Sequence, residues 1–169
     1  MKKIIVIFGT RPEAIKLAPV IRQLKSHSSS FETLVCVTAQ HREMLDQVLT
    51  LFKIIPDFDL DVMNHDQDLF DVTIKSLEGL RRELKKVQPD MVVVQGDTTT
   101  AMAGSLVAYY HRIKVAHVEA GLRTGDKFHP FPEETNRRMI ASIADIHFAP
   151  SRLASDNLVA EGVDASSIH

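Results

Sequence analysis

Cysteine is nearly absent from this sequence, since Cys36 is the only one among 169 residues. An internal disulfide is therefore excluded, because a single thiol has no partner. Cys36 lies within the apolar run at residues 34–37. We predict that it is a buried core residue of a protein from a reducing compartment, and not a nucleophile.

Long hydrophobic runs and an excess of positive charge are also missing. No stretch approaches the roughly 18 apolar residues of a membrane span. The apolar run at residues 4–8 is too short for a signal peptide and is soon followed by Arg11. The net charge of -2 gives no reason to expect nucleic-acid binding, which usually needs a basic patch. We expect a soluble, cytoplasmic protein with no membrane or nucleic-acid partner.

Several common active-site motifs do not occur. There is no GxGxxG dinucleotide fingerprint, no GxxxxGK[ST] phosphate loop and no GxSxG nucleophile elbow. His41, His117 and His129 lie near predicted strand ends, but no pair has a metal-ligand spacing such as HExxH. We therefore predict no metal site and no cofactor.

The sequence does contain short apolar runs that alternate with longer amphipathic segments. The runs rich in Val and Ile predict strands at residues 3–8, 33–38, 91–95, 115–119 and 146–149, and a weaker one at 58–62. The segments between them predict helices at residues 14–26, 42–52, 69–87, 98–111, 133–144 and 151–161. This βαβ series predicts an α/β fold with one doubly wound parallel sheet, and the length corresponds to about one domain.

Pro19 falls inside the first predicted helix, where it removes a backbone donor. Two arrangements are compatible with this. Either the helix is kinked at Pro19, or regular helix begins close to it, with Pro19 in the first turn. In the second case residues 11–16 would form a loop that lines a site.

Charged side chains follow the carboxyl ends of the predicted strands, where ligands bind in open parallel sheets. Three of them are carboxylates, from Asp97, Glu119 and Glu133. Three others are cations suited to phosphate or carboxylate, from Arg11, Lys16 and Arg123. The pattern favours a site that combines anion binding with acid/base chemistry.

Purely structural roles are open for two parts of this pattern. Asp97 precedes three threonines and could cap the next helix. Glu133 and Glu134 follow a proline and suit a first helical turn, where they would pair at i,i+4 with Arg137 and Arg138. Glu119 ends an apolar strand, so burial or a site is favoured for it over a solvated face.

Five ordered motifs carry a resemblance over nearly all 169 residues: GTRPEAIK, VTAQHREMLDQ, QGDTTTAMA, HVEAGLRTGD and FPEETNRRMI. In this order they resemble the non-hydrolysing UDP-N-acetylglucosamine 2-epimerases. The resemblance implies a two-domain architecture of the glycosyltransferase-B type, with the active site between two Rossmann-like domains. It further implies that residues 1–169 are the N-terminal domain and that the C-terminal nucleotide-binding domain is absent from this chain.

The same resemblance implies a reaction that interconverts UDP-GlcNAc and UDP-ManNAc by elimination and re-addition of UDP, in a pathway of cell-envelope polysaccharide biosynthesis. The acid/base residues would be Asp97, Glu119 and Glu133, with the acid and base roles not divided among them. Substrate contacts would come from Arg11, Lys16, Asp97, Glu119 and Arg123. A second UDP-GlcNAc, bound as an activator, would contact Gln40, His41, Glu134 and Arg137.

The resemblance also implies a homodimer formed through helices of this domain. A hydrolysing relative usually lacks the RPEAIK form of the first loop, so the sequence disfavours it. A glycosyltransferase of the same architecture would not need three acid/base carboxylates here. A non-catalytic binding or assembly module remains the alternative for an isolated N-terminal domain, which we expect to fold but not to turn over substrate.

Overall fold

The computed structural model describes residues 1–38, 42–62 and 67–169. Strands and helices alternate along the chain, as the apolar periodicity predicts. Their order is β1 (Lys2–Phe8), α1 (Arg11–Ser26), β2 (Phe31–Val37), α2 (Arg42–Phe52), β3 (Phe58–Asp59), α3 (Leu69–Val87), β4 (Met91–Gln95), α4 (Thr99–Tyr110), β5 (Lys114–Val118), α5 (Glu133–Ile143), β6 (Ile146–Phe148) and α6 (Arg152–Ala160). A short 3₁₀ turn at Ala165–Ser167 follows.

The six strands form one sheet in the order β3-β2-β1-β4-β5-β6, and every pairing is parallel. The predicted doubly wound α/β fold of the Rossmann type is thus confirmed. The chain moves outward in one direction from β1 and in the other direction from β4. The point where the strand order reverses therefore lies between β1 and β4, and the crevice beyond their carboxyl ends is where such sheets bind ligands.

The central strand β1 is covered on both faces, which explains its continuous apolar sequence. Ile4, Val6 and Phe8 pack with the buried faces of α1 and α2. The alternate residues Ile5 and Ile7 pack with α3 and α4 on the opposite face. Because successive side chains of a strand point to opposite faces, burial on both sides requires apolar residues at every position.

Cys36 belongs to the second of these core layers and has no solvent exposure. Burial raises the pKa of its thiol to about 12, with smaller contributions from the negative charges of Glu83 and Asp59. A thiol with this pKa carries almost no thiolate near neutral pH, and the thiolate is the reactive form. The prediction that Cys36 is a core residue is confirmed.

The start of α1 settles the question raised by Pro19. The helix begins at Arg11, with Thr10 as its N-cap, and continues past Pro19 to Ser26. The arrangement in which residues 11–16 form a loop is therefore wrong. Thr10 and Glu13 form a capping box, which satisfies backbone donors that the first turn of a helix leaves free.

Across the described ranges, no helix combines the length and the apolarity needed to cross a membrane.

Candidate functional site

The turns that follow β1, β4 and β5 meet at one edge of the sheet. The N–H of Gly96 donates to the carbonyl of Val118 at 2.9 Å, which joins the end of β4 to the end of β5. Gly96 adopts a positive φ of 72°, which a glycine accommodates without steric cost. The sequence predicts charged side chains at the carboxyl ends of the strands, and the structure confirms this for the segments after β1, β4 and β5. Gln40 and His41, in the motif after β2, lie outside the described residues.

Glu119 lies at this edge, and its carboxylate is bound by one side chain from α1 and one from β4. The ammonium group of Lys16, on α1, donates to both carboxylate oxygens at 2.7 and 2.6 Å. The side-chain amide of Gln95, the last residue of β4, also donates to Glu119. The backbone of Glu119 has φ of 64°, a left-handed conformation that costs a non-glycine residue of order 1 kcal/mol or more. Such a strained residue with fixed partners is typical of a functional site.

Asp97 lies beside it on the turn after β4 and is partly buried. A guanidinium nitrogen of Arg137, on α5, is 2.7 Å from the Asp97 carboxylate. Burial raises the pKa of Asp97, the nearby charge of Arg137 opposes the increase, and the negative charges of Glu133 and Glu119 add to it. Clustered carboxylates favour the protonated form of one of their members, so Asp97 can hold a proton at higher pH than an ordinary aspartate.

The cap of α4 is Thr98, whose hydroxyl accepts from the N–H of Ala101, and not Asp97. The alternative in which Asp97 serves as the helix cap is therefore wrong. Its side chain is left free to face the crevice and Arg137. The capping function is supplied one residue later in the same run of threonines.

Hydrogen bonds from two buried side chains fix the backbone that carries Asp97. Nε2 of His117 lies 2.7 Å from the carbonyl of Gly96, and the amide of Asn136 donates to the carbonyl of Asp97 at 2.9 Å. A carbonyl only accepts, so Nε2 carries the proton in this contact. Burial lowers the pKa of His117 to about 4, which keeps its ring neutral near neutral pH.

Glu133 and Arg11 each begin a helix at this edge of the sheet. Glu133 is the first residue of α5 and is partly exposed, and Arg11 is the first residue of α1 and is exposed. Within the described ranges neither side chain forms a hydrogen bond or ion pair. The expected Glu133–Arg137 pair is replaced by the pairing of Arg137 with Asp97 and, at 3.7 Å, with Glu134.

The side chains of Glu134 and Arg123, two other predicted contact residues, are already bound to other residues of this chain. The fully buried carboxylate of Glu134 accepts from the N–H groups of Thr124 and Gly125 and from Arg138. It thereby fixes the loop between β5 and α5, and its expected i,i+4 pair with Arg138 is confirmed. Arg123 donates to both carboxylate oxygens of Glu161, at 2.8 and 2.6 Å, and its side chain is 7% exposed.

Four residues of the site were not among the sequence candidates: Glu13, Gln95, His117 and Asn136. The T-x-x-E spacing of Thr10 and Glu13 is a capping-box signal that the sequence does contain. The other three act through contacts between segments far apart in the chain. No local pattern signals those contacts.

The arrangement combines carboxylates with cations. Asp97 and Glu119 share the edge with Lys16, Arg11 and Arg137, and the pKa of Asp97 depends on Glu133. Carboxylates in this setting can exchange protons with a substrate, and the cations can neutralise an anionic leaving group. In the described part of the chain no group of three His, Cys, Asp or Glu side chains is placed to hold a metal ion.

Comparison with known proteins places the chain in one family. The family profile described as UDP-N-acetylglucosamine 2-epimerase matches residues 22–169. The UDP-N-acetylglucosamine 2-epimerase of Bacillus subtilis is 55% identical over 166 residues, which cover 98% of this chain and 43% of the relative. That of Escherichia coli K12 is 54% identical, over 98% of this chain and 44% of its own length.

Solved structures give the same result. UDP-GlcNAc 2-epimerase from Neisseria meningitidis, bound to UDP-GlcNAc, is 48% identical with a TM-score of 0.95 over 98% of this chain and 44% of that one. The Methanocaldococcus jannaschii enzyme, in complex with UDP-GlcNAc and UDP, is 38% identical with a TM-score of 0.92 over 99% of this chain and 45% of that one. The chain thus spans less than half the length of the relatives it matches. It belongs to the UDP-N-acetylglucosamine 2-epimerase family.

Proposed function

We propose that the complete protein interconverts UDP-GlcNAc and UDP-ManNAc, and that this chain supplies the acid/base half of the active site. Membership of the family supports the reaction class. Two related structures contain UDP-GlcNAc, one of them together with UDP. The observation that carries the proposal is the meeting of Asp97 and Glu119 at one sheet edge, with Lys16 bound to Glu119.

The chemistry requires groups of this kind. In the elimination step a base removes the proton from C2, the C1–C2 double bond forms, and the C1–O bond breaks to release UDP. UDP then adds back at C1 while an acid returns a proton to the opposite face of C2. A weakly acidic C–H needs a positioned base. Carboxylates from separate strand ends would act as base on one face of C2 and as acid on the opposite face.

The cations would stabilise the negative charge that develops during the reaction. Breaking the C1–O bond leaves negative charge on the diphosphate, and cations aimed at that charge lower the barrier. Arg11 is exposed at the start of α1 and is available for this role. Lys16 would reach a substrate phosphate by exchanging its contact with Glu119, which would free that carboxylate for proton transfer. Arg123 would have to leave Glu161 to contact substrate.

The second half of the site lies outside this chain in our proposal. We place the main uridine and diphosphate contacts on a C-terminal domain, which would complete a glycosyltransferase-B-type cleft over residues 1–169. Because that half excludes water from the reaction, the isolated chain should not turn over substrate. An activator site at Gln40, His41, Glu134 and Arg137 stays a prediction, as does a cytoplasmic location in an envelope-polysaccharide pathway.

A homodimer through helices of this domain is also part of the proposal. It is supported by large apolar side chains on α3 and α4 that are more than half exposed, which are Phe70, Ile74, Tyr109 and Tyr110. Phe70 and Ile74 lie one turn apart on α3, and the rings of Tyr109 and Tyr110 at the end of α4 have centroids 6.0 Å apart. Adjacent exposed apolar side chains often mark a protein interface. Light scattering on the chain and on a Tyr110→Glu variant tests it, since a monomeric wild type would contradict the dimer.

The test of the reaction uses heavy water. The chain, alone and mixed with a C-terminal-domain fragment of a relative, is incubated with UDP-GlcNAc in deuterium oxide. We expect UDP-ManNAc with deuterium at C2 only from the mixture or the complete protein. Turnover by the chain alone would contradict the division of the site. Release of free ManNAc would indicate a hydrolysing enzyme, and no product from the complete protein would indicate a binding or assembly module.

A further inference from the structure

Glu13 is a buried carboxylate for which the proposed reaction has no direct use. It is 1% exposed and lies in the first turn of α1. Its Oε2 accepts from the N–H of Gly9 at 3.0 Å, and from the N–H and hydroxyl of Thr10 at 2.8 and 2.7 Å. These contacts fix the start of α1.

The other oxygen of Glu13 reaches a different part of the chain. The hydroxyl of Thr98 donates to Oε1 at 2.8 Å across a separation of 85 residues, while accepting from the N–H of Ala101 at 3.0 Å. Thr98 is the N-cap of α4. Since β1 and β4 are neighbours in the sheet, one carboxylate joins the starts of the two helices on either side of the crevice.

Each of the four contacts donates to Glu13, so the carboxylate is the form that this arrangement fits. Burial nevertheless raises the pKa of Glu13 and the hydrogen bonds only partly offset the effect. Burying a carboxylate is costly even when it is well bonded. An apolar contact or a neutral cap would hold the two helices at a lower cost in free energy. The buried Glu13 carboxylate therefore indicates that the starts of α1 and α4 must be placed precisely relative to each other.

The residues that need such placement are adjacent to the bridge. Asp97 directly precedes Thr98, while Arg11 and Lys16 lie on the first turns of α1. A small shift between the two helix starts would move the proposed proton-transfer carboxylate relative to the cations. Misplacement by about 1 Å can cost as much as 10²-fold in rate.

We propose that Glu13 is a positioning residue whose bridge to Thr98 fixes the position of Asp97 relative to Arg11 and Lys16. The inference rests on the proposed function, since that function gives Asp97 its part in proton transfer. Glu13 itself contacts no substrate in this account. It acts through Thr98.

The test replaces Thr98 in the complete two-domain protein. Thr98→Val keeps the shape but removes the hydroxyl, so we expect kcat to fall by about 10–100-fold with KM changed less than about threefold. Thr98→Ser keeps the hydroxyl and should restore kcat to near the wild-type value. The matched control is Ser151→Ala, which removes the hydroxyl cap of α6 without any bridge. It should lower the melting temperature and leave kcat unchanged.

A kcat for Thr98→Val equal to that of Ser151→Ala would overturn the proposal and reduce Glu13 to a helix-capping residue. If Thr98→Val does not fold, Thr98→Asp decides the question. Aspartate keeps an acceptor that can cap the N–H of Ala101 but has no hydroxyl to donate to Glu13. We then expect a loss of kcat of about tenfold or more, and full activity would refute the bridge.

A second measurement separates this inference from the proposed function. The Gly9 and Thr10 amides donate to Glu13, which loses one of its anchors when the Thr98 hydroxyl is removed. In the 169-residue chain, Thr98→Val should therefore speed hydrogen exchange at these two amides about tenfold, whereas Ser151→Ala should not. Faster exchange in a protein without epimerase activity would support the Glu13–Thr98 bridge and contradict the proposed reaction. Unchanged exchange in an active enzyme would refute the bridge alone.

Discussion

His117 gives the fold a specific sensitivity to acid. The imidazole has no exposed surface and its pKa lies at about 4, against 6.5 for an unperturbed histidine. Burial is the main cause, and the positive charges near it from His147, Arg123 and Arg137 act in the same direction. The unfolded chain therefore binds a proton below about pH 6.5, whereas the native chain does not until about pH 4.

The sign follows from this difference in proton binding. As the pH falls through this window, the unfolded state gains a proton that the native state lacks, so the free energy of unfolding decreases. One pKa unit corresponds to about 1.4 kcal/mol, so lowering the pH from about 7 to about 5 should cost about 2 kcal/mol through His117 alone. His117→Gln removes the titrating group and keeps a donor that can reach the carbonyl of Gly96.

The assay is urea unfolding of wild type and His117→Gln at both pH values. We expect the wild type to lose about 2 kcal/mol more than the variant between the two. Contributions from groups that do not interact with His117 are common to both proteins and cancel in this difference. His111→Gln is the matched control, because His111 is exposed, and it should behave as the wild type. Equal acid losses in wild type and His117→Gln would refute the assignment of a buried neutral ring to His117.

Three further predictions concern other parts of the chain. Gly121 has φ of 87°, and a Cβ there would lie 2.1 Å from the carbonyl oxygen of Ala154. Gly121→Ala should therefore lower the free energy of unfolding by about 2–4 kcal/mol. Gly125 has a similar φ but lies in open space, so Gly125→Ala should cost only about 1 kcal/mol. Cys36 should not react with a thiol reagent at about pH 8 until the protein unfolds, and native labelling would contradict its burial. Glu133→Gln in the complete protein should reduce turnover by roughly 10²–10⁴-fold with little change in nucleotide affinity, while intact turnover with a stability loss of about 0.3–1 kcal/mol would assign Glu133 to the helix start alone.

The sequence by itself determined the order and type of the strands and helices. Apolar runs such as that of β1 and amphipathic segments such as α3 are local patterns, and both elements lie where periodicity placed them. It also identified the carboxylates at the strand ends, because parallel strands deliver their carboxyl ends to one edge whatever the details of packing. The five ordered motifs added the family, which the comparisons support.

Tertiary structure alone decided which charges are free and which are already paired. Arg123 and Arg11 look alike in the sequence, yet Arg123 is bound to Glu161 and Arg11 is exposed without a partner in the described ranges. Likewise, Arg137 binds Asp97, 40 positions away, in place of the nearby Glu133. Helical spacing predicts only neighbours on the same helix. The pKa of a buried group depends on every charge and donor packed around it, so the properties of Asp97 and His117 follow only from contacts between distant segments.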